Sequence, residues 1–286
     1  MIWNCGRHRL PLGKKTYVMG IVNATPDSFS GDGVADLDAA VKRAMKLVMD
    51  GADILDIGGE STRPGAVPVP LDEELRRVVP LIAALATRVT VPLSVDTTKA
   101  EVAVAAVRAG ASIVNDISGA TFDENMLAAL APLNCGLILM HLRGTPQMMV
   151  QSSKFEVQTI PFNDVIHEIF YFWRERVDAA RTAGIADDSI ALDAGFGFGK
   201  SVEENLEILR RGRDLSMFGF PTLSGTSRKS TIGKILNDAP VEERLFGTAA
   251  TVALAIAGGA DIVRVHDVAA MKQVALVADA IVRAGE

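Results

Sequence analysis

The residues able to do chemistry fall into two sets. The first is basic: Ser227, Arg228, Lys229 and Ser230 in the tract GTSRKSTIG, and Arg264 and His266 in RVHDV. The second is acidic or amide: Asp96 in SVDTTK, Asn115 in VNDIS and Asp193 in DAGFGFGK. A cationic cluster suits a phosphorylated group, because it neutralises the negative charge that grows on a departing phosphate. Carboxylate and amide oxygens accept hydrogen bonds, so the second set suits a ligand edge bearing N–H donors. Ser230 stands at the predicted start of a helix, where free backbone N–H groups attract anions. Taken singly, these residues have plainer explanations. Arg228 and Lys229 describe a solvated loop, Asp96 and Asn115 describe caps of following helices, and Asp193 describes a salt bridge to Lys229.

What must position them is a set of short apolar runs, at 17–23, 53–59, 92–97, 112–116, 136–141, 190–195, 221–226 and 261–266. The runs are rich in Val, Ile and Leu and lack clean alternation, as parallel strands covered on both faces should be. Helical patterns lie between them, the longest interval holding a polar loop and a helix over about 162–183. Pro80 is expected to kink the helix it interrupts. Eight strand–helix alternations predict an α/β fold of the (β/α)8 TIM barrel type, with an open doubly wound sheet as the alternative. The whole chain, 1–286, reads as a single domain. Its first 16 residues are an N-terminal extension expected to form a hairpin that closes the barrel floor.

In such a barrel, active sites occupy the C-terminal ends of the strands. Asp96, Asn115, Asp193, Arg264 and His266 fall there, together with Asn23, Glu60, Asp116 and His141. Side chains two apart on a strand share a face. Arg264 and His266 therefore point inward together, while Val263 and Val265 face the helices. Ser94 pairs with Asp96 in the same way, and Ile113 with Asn115. The predicted mouth has a basic side of Lys229, Arg264 and His266, and an acidic or amide side of Asp96, Asn115 and Asp193.

Composition narrows the function classes. The chain of 286 residues has 29 basic and 35 acidic side chains, a formal net charge of −6. That balance disfavours general binding to nucleic acid or to anionic membrane. No signal-peptide core or membrane span is legible, and the expected location is the cytoplasm. Two distant cysteines, Cys5 and Cys135, give no disulfide framework and no metal-like spacing. Cys135 reads as core.

The motifs MGIVNATPDSFS at 19–30, GGESTRPGA at 58–66, SVDTTK at 94–99, VNDIS at 114–118, MHLRGTPQMM at 140–149, DAGFGFGK at 193–200, GTSRKSTIG at 225–233 and RVHDV at 264–268 resemble, in order, those of the dihydropteroate synthase family. The resemblance implies a barrel enzyme of folate biosynthesis. It joins para-aminobenzoate to 6-hydroxymethyl-7,8-dihydropterin diphosphate and releases pyrophosphate, with Mg2+ assisting. Members are homodimers and sulfonamide targets. Asn23, Arg63, Arg264 and His266 match the pyrophosphate side, with Asn23 the implied Mg2+ contact. Asp96, Asn115, Asp193 and Lys229 match pterin-binding positions. Thr62, Arg63, Pro64, Phe198 and the Lys229–Ser230 turn would build the aminobenzoate pocket. Lys229, Arg264, His266 and Arg63 would carry the catalysis.

A dissociative mechanism is expected, in which pyrophosphate leaves first and no protein nucleophile is needed. Two departures stand out. SFSGDG replaces the family's SFSDGG and moves the acid to Asp32, and Ala194 replaces the proline of DPG. A related barrel that moves a methyl group from methyltetrahydrofolate to a corrinoid protein, and a catalytically silent pterin-binding paralogue, are the alternatives. The SRKS, STRPG and RVH segments favour the synthase over the methyl-transferring barrel; the matched residues argue against the silent paralogue, which the altered first loop keeps open.

Overall fold

A computed structural model describes residues 1–24, 34–61, 65–145 and 164–283. A hairpin of β1 (Ile2–Cys5) and β2 (His8–Pro11) comes first. Eight parallel strands follow: β3 (Tyr17–Asn23), β4 (Ile54–Gly58), β5 (Leu93–Asp96), β6 (Ile113–Asp116), β7 (Gly136–Met140), β8 (Ile190–Asp193), β9 (Thr222–Ser224) and β10 (Ile262–Val265). They pair in chain order, and β10 returns to β3 to close a barrel, with Val263 opposite Val18 and Arg264 opposite Met19.

The helices α1 (Val34–Met49), α2 (Leu71–Ala86), α3 (Ala100–Ala109), α4 (Met126–Leu130), α5 (Val165–Ala183), α6 (Val202–Arg210), α7 (Gly212–Ser216), α8 (Ser230–Ile235), α9 (Leu245–Ala257) and α10 (Val268–Val282) surround it. α2 runs unbroken through Pro80. α4 is only five residues long. Pro132 follows at once and lacks the N–H that would continue it. No described helix is long and apolar enough to cross a membrane.

The lack of alternation in the runs has its cause in two cores. Val18, Leu55, Ile57, Val95, Val114, Leu139, Leu192, Val263 and Val265 face the helices and are buried there. Met19, Ile54, Ile113, Ile138, Ala191, Leu223 and Ile262 point into the barrel and form a second apolar cluster. The hairpin joins this inner cluster through Trp3, Cys5 and Leu10 and closes the floor, as expected. The buried Trp3 indole N–H donates to Ser189 O at 3.0 Å, and the Tyr17 hydroxyl donates to Pro11 O at 3.0 Å. A Cβ at Gly136 would lie 2.9 Å from Cys5 Sγ, so the start of β7 must be glycine for the plug to seat.

Candidate active site

Above the apolar layer the barrel interior turns polar. Arg264 alternates with the outward Val263 and Val265, which sends its guanidinium across the mouth. Nε donates to Asp56 Oδ2 at 2.6 Å and Nη2 donates to Asp96 Oδ2 at 2.6 Å. The Asn115 amide donates to the same Asp56 oxygen at 3.1 Å. One arginine thus ties β10 to β4 and β5, with β6 joined through Asn115. The basic and acidic sides expected from the sequence interlock here instead of facing each other across a gap.

Asp56 escaped the sequence reading. It lies inside the run ILDIG instead of at its end, and it is fully buried. A charge within a strand covered on both faces was the available signal. Ser94, its register partner on β5, is also fully buried. Among the described residues, Asp56 Oδ1, Asp96 Oδ1 and Ser94 Oγ find no hydrogen-bond partner. They keep accepting capacity for donors of a bound molecule. Burial pushes the Asp96 carboxyl up to about 7; Arg264 pulls it back, and Asp56 adds to the rise. Burial also works against the Arg264 charge, but Asp56 and Asp96 more than offset it and hold the guanidinium above its ordinary range.

Asp193 ends β8 beside this group. Its Oδ1 accepts the Gly195 N–H at 2.7 Å, and burial raises its pKa. Gly195 has φ +66°, and a Cβ there would lie 1.9 Å from His141 O, so only glycine makes this turn. Gly225 marks how close the parts lie: a Cβ there would be 3.9 Å from both Asp193 Oδ2 and Arg264 Cβ. Lys229 Nζ lies 3.6 Å from the centroid of the Phe198 ring, a cation–π contact. Phe198 packs in turn on Ile117 and Met140. Burial, reinforced by Arg264, pushes the Lys229 ammonium down to about 7 against the pull of Asp193 and Asp96. Among the described residues no ion pair joins Asp193 to Lys229; the ammonium rests on the ring instead.

His266 is half-buried, with Nδ1 3.0 Å from Ser227 Oγ. Arg228 turns away from the mouth. Its φ is +58°, and its guanidinium holds Asp267 through two bonds of 2.8 and 2.5 Å. This pair joins the loop after β9 to the end of β10. Ser230 opens α8 and is exposed, with Lys229 as the preceding cap residue. Asn23 is exposed at the end of β3, opposite Gly58.

Two further strand-end residues serve the scaffold. Asp116 accepts from the Ser118 N–H and hydroxyl and from the Ala120 N–H. His141 pairs with Glu168 at 3.2 Å, and burial lowers its pKa to about 4. Thr62, Arg63, Pro64 and Asp32 lie outside the described residues. Asp96, Asn115, Asp193, Phe198, Lys229, Arg264 and His266 do come together around one mouth.

A family model described as pterin binding enzyme matches residues 19–266. The dihydropteroate synthase of Synechocystis sp. is 52% identical over 272 residues, which are 95% of this chain and 92% of that protein. The crystal structure of dihydropteroate synthase from Clostridium difficile, obtained in the presence of pteroic acid, has a TM-score of 0.87 at 44% identity and covers 95% of this chain and 98% of its own. That of the Yersinia pestis enzyme with a sulfonamide drug complex has a TM-score of 0.88 at 39% identity, covering 98% and 99%.

Proposed function

The chain belongs to the family of pterin-binding enzymes, with the dihydropteroate synthases as its relatives, and from that premise we propose how its own residues perform their reaction. It transfers the 7,8-dihydropterin-6-ylmethyl group from 6-hydroxymethyl-7,8-dihydropterin diphosphate to para-aminobenzoate, releasing pyrophosphate, in folate biosynthesis. It is a sulfonamide target. The observation that carries the assignment of roles is the mouth itself. Arg264 is held between two buried carboxylates, beside Asp193 and Lys229, with buried acceptors that have no partner among the described residues.

The pterin presents a 2-amino-4-oxo edge. We assign its N–H donors to Asp193, Asp96 and Asn115, and its carbonyl to the Lys229 ammonium. Arg264, His266, Arg63 and Asn23 attend the diphosphate. Arg264 is anchored by Asp56 and Asp96, so it needs little reorganisation as charge grows on the leaving group. Breaking the C–O bond first gives a pterin-methyl cation stabilised by the electron-rich ring. The aminobenzoate nitrogen then attacks and loses a proton. Phe198 supports the aminobenzoate ring with Thr62, and the carboxylate sits by Ser230.

Asn23 is the residue we assign to Mg2+. Among the described residues no group of three or more His, Cys, Asp or Glu could hold a metal. An exposed amide oxygen at a strand end suits a Mg2+ ion that keeps waters and phosphate oxygens as its other ligands. Bound there, the ion would neutralise the departing pyrophosphate. We further propose a single-domain protein that works in the cytoplasm as a homodimer. Leu254 on α9 and Leu276, Val277 and Ile281 on α10 leave an exposed apolar face, which supports self-association.

The test is to mix the purified protein with the pterin diphosphate, Mg2+ and para-aminobenzoate and to assay dihydropteroate and pyrophosphate. Both products are expected in equal amounts. Pterin binding without either product would favour a silent paralogue, and a covalent enzyme–pterin adduct would refute the dissociative route.

A further inference from the structure

Lys200 closes the glycine-rich tract that carries Asp193 and Phe198, and none of the roles above uses it. Its ammonium folds back under the loop and donates to three backbone carbonyls: Gly195 O at 2.9 Å, His141 O at 3.2 Å and Phe198 O at 3.3 Å. The neighbouring carboxylates Glu168 and Glu204 are taken by Arg143. Among the described residues, only backbone oxygens accept its hydrogen bonds. Placing an ammonium in such a setting is costly unless its donors are well met.

The three oxygens are not equivalent points on one turn. His141 follows β7, and its N–H donates to Asp193 O at 2.9 Å. Gly195 is the tight turn whose N–H fixes the Asp193 carboxylate. Phe198 is the residue on whose ring Lys229 rests. A single ammonium therefore ties the end of β7 to both halves of the β8–α6 loop. The loop's other support is Asn205, whose Oδ1 accepts the Gly197 N–H at 2.7 Å.

We propose that Lys200 is a positioning residue for the synthase. Seated among the His141, Gly195 and Phe198 carbonyls, its ammonium holds the β8–α6 loop in the shape that lets Asp193 and Lys229 reach the same pterin edge. This rests on the assignment of those two residues to the pterin. Lys200 touches no substrate itself. Its loss acts through the turn at Gly195 and the seat of Phe198.

The test is Lys200→Met, which keeps the stem and removes the donors. 6-Hydroxymethylpterin and Mg2+-pyrophosphate serve as separate binding probes beside turnover. Pterin affinity and kcat should each fall by ~10- to 100-fold, the scale of a displaced catalytic group. Pyrophosphate affinity, which we assign to residues of β3 and β10 that Lys200 does not touch, should be unchanged. Lys200→Arg, which keeps a cation and its donors, should recover part of the pterin affinity. Wild-type pterin affinity in Lys200→Met, or equal loss of both ligands, overturns the proposal. Should Lys200→Met fail to fold, Lys200→Arg is compared with the wild type on the same two probes. A selective loss of pterin affinity then supports the role, and equal loss or none overturns it. Should the wild type bind both probes yet form no dihydropteroate, the functional reading fails on its own, and the selectivity measured in the variant still decides the role of Lys200.

Discussion

The two ends of the barrel interior obey opposite rules. At the floor, Trp3, Cys5, Leu10, Tyr17 and Met19 fill the space with apolar groups, and the polar atoms of Trp3 and Tyr17 have partners. At the mouth, buried carboxylates share one arginine, and Asp56, Asp96 and Ser94 each keep an oxygen that has no partner among the described residues. The same eight strands build both ends. The floor is therefore where the fold gains stability, and the mouth is where it gives some up to keep groups ready for a substrate. Each end can be altered to test that division.

The largest effect belongs to the mouth. Arg264→Ala and Lys229→Ala should each lower kcat by ~100- to 1000-fold, the scale of removing one preorganised donor from an active site. Both variants should still unfold cooperatively in denaturant; near wild-type turnover in either would break the site assignment. At the floor, Trp3→Ala should cost ~3–5 kcal/mol of stability through the cavity it leaves. Activity per folded molecule should be retained, as a denaturant titration paired with an assay would record. Asp56→Asn lies between the two. It removes one of the two carboxylates that Arg264 is bonded to among the described residues, and turnover should fall by ~10- to 100-fold as the guanidinium shifts. A drop as deep as that of Arg264→Ala would mean that Asp56 contacts the substrate itself.

The smallest effect sharpens the comparison through pH. Lys229 and Lys200 have folded-state pKa values lowered by burial from 10.5 to about 7. Between about pH 7 and 10 the unfolded chain then binds more protons, so these two groups make stability rise with pH across that window. Asp96, raised from 3.8 to about 7, acts in the opposite sense between those values, because there the folded chain binds more protons. Lys229→Met should remove its share of the alkaline slope. It should also raise Tm at pH 7 by ~2–4 °C for each kcal/mol of burial cost relieved. An unchanged slope in thermal melts from pH 7 to 10 would contradict the lowered Lys229 value.

The scaffold was legible in the sequence because a strand buried on both faces leaves an uninterrupted apolar run. Each of the eight runs holds a barrel strand. Parity placed Arg264 inward, since the alternating valines left it no other side. The exceptions share a cause. Asp56 was hidden by the apolar run around it, and Lys200 looks like any loop lysine until the fold brings three carbonyls to it. Arg228 stands in the basic tract beside Lys229, yet its positive φ and its bond to Asp267 turn it outward. Composition and spacing name the residues near a strand end, but partners from distant strands decide which of them face the mouth.

Arg264 lies 208 residues after Asp56 and 168 after Asp96. Until the final strand docks, the two acids stand side by side on neighbouring strands without the guanidinium that bridges them. The residue we assign to the leaving group is thus also the latch of the ring. A chain cut short before β10 would lack more than a ligand contact, because the charges left behind would repel each other across the β4–β5 pair.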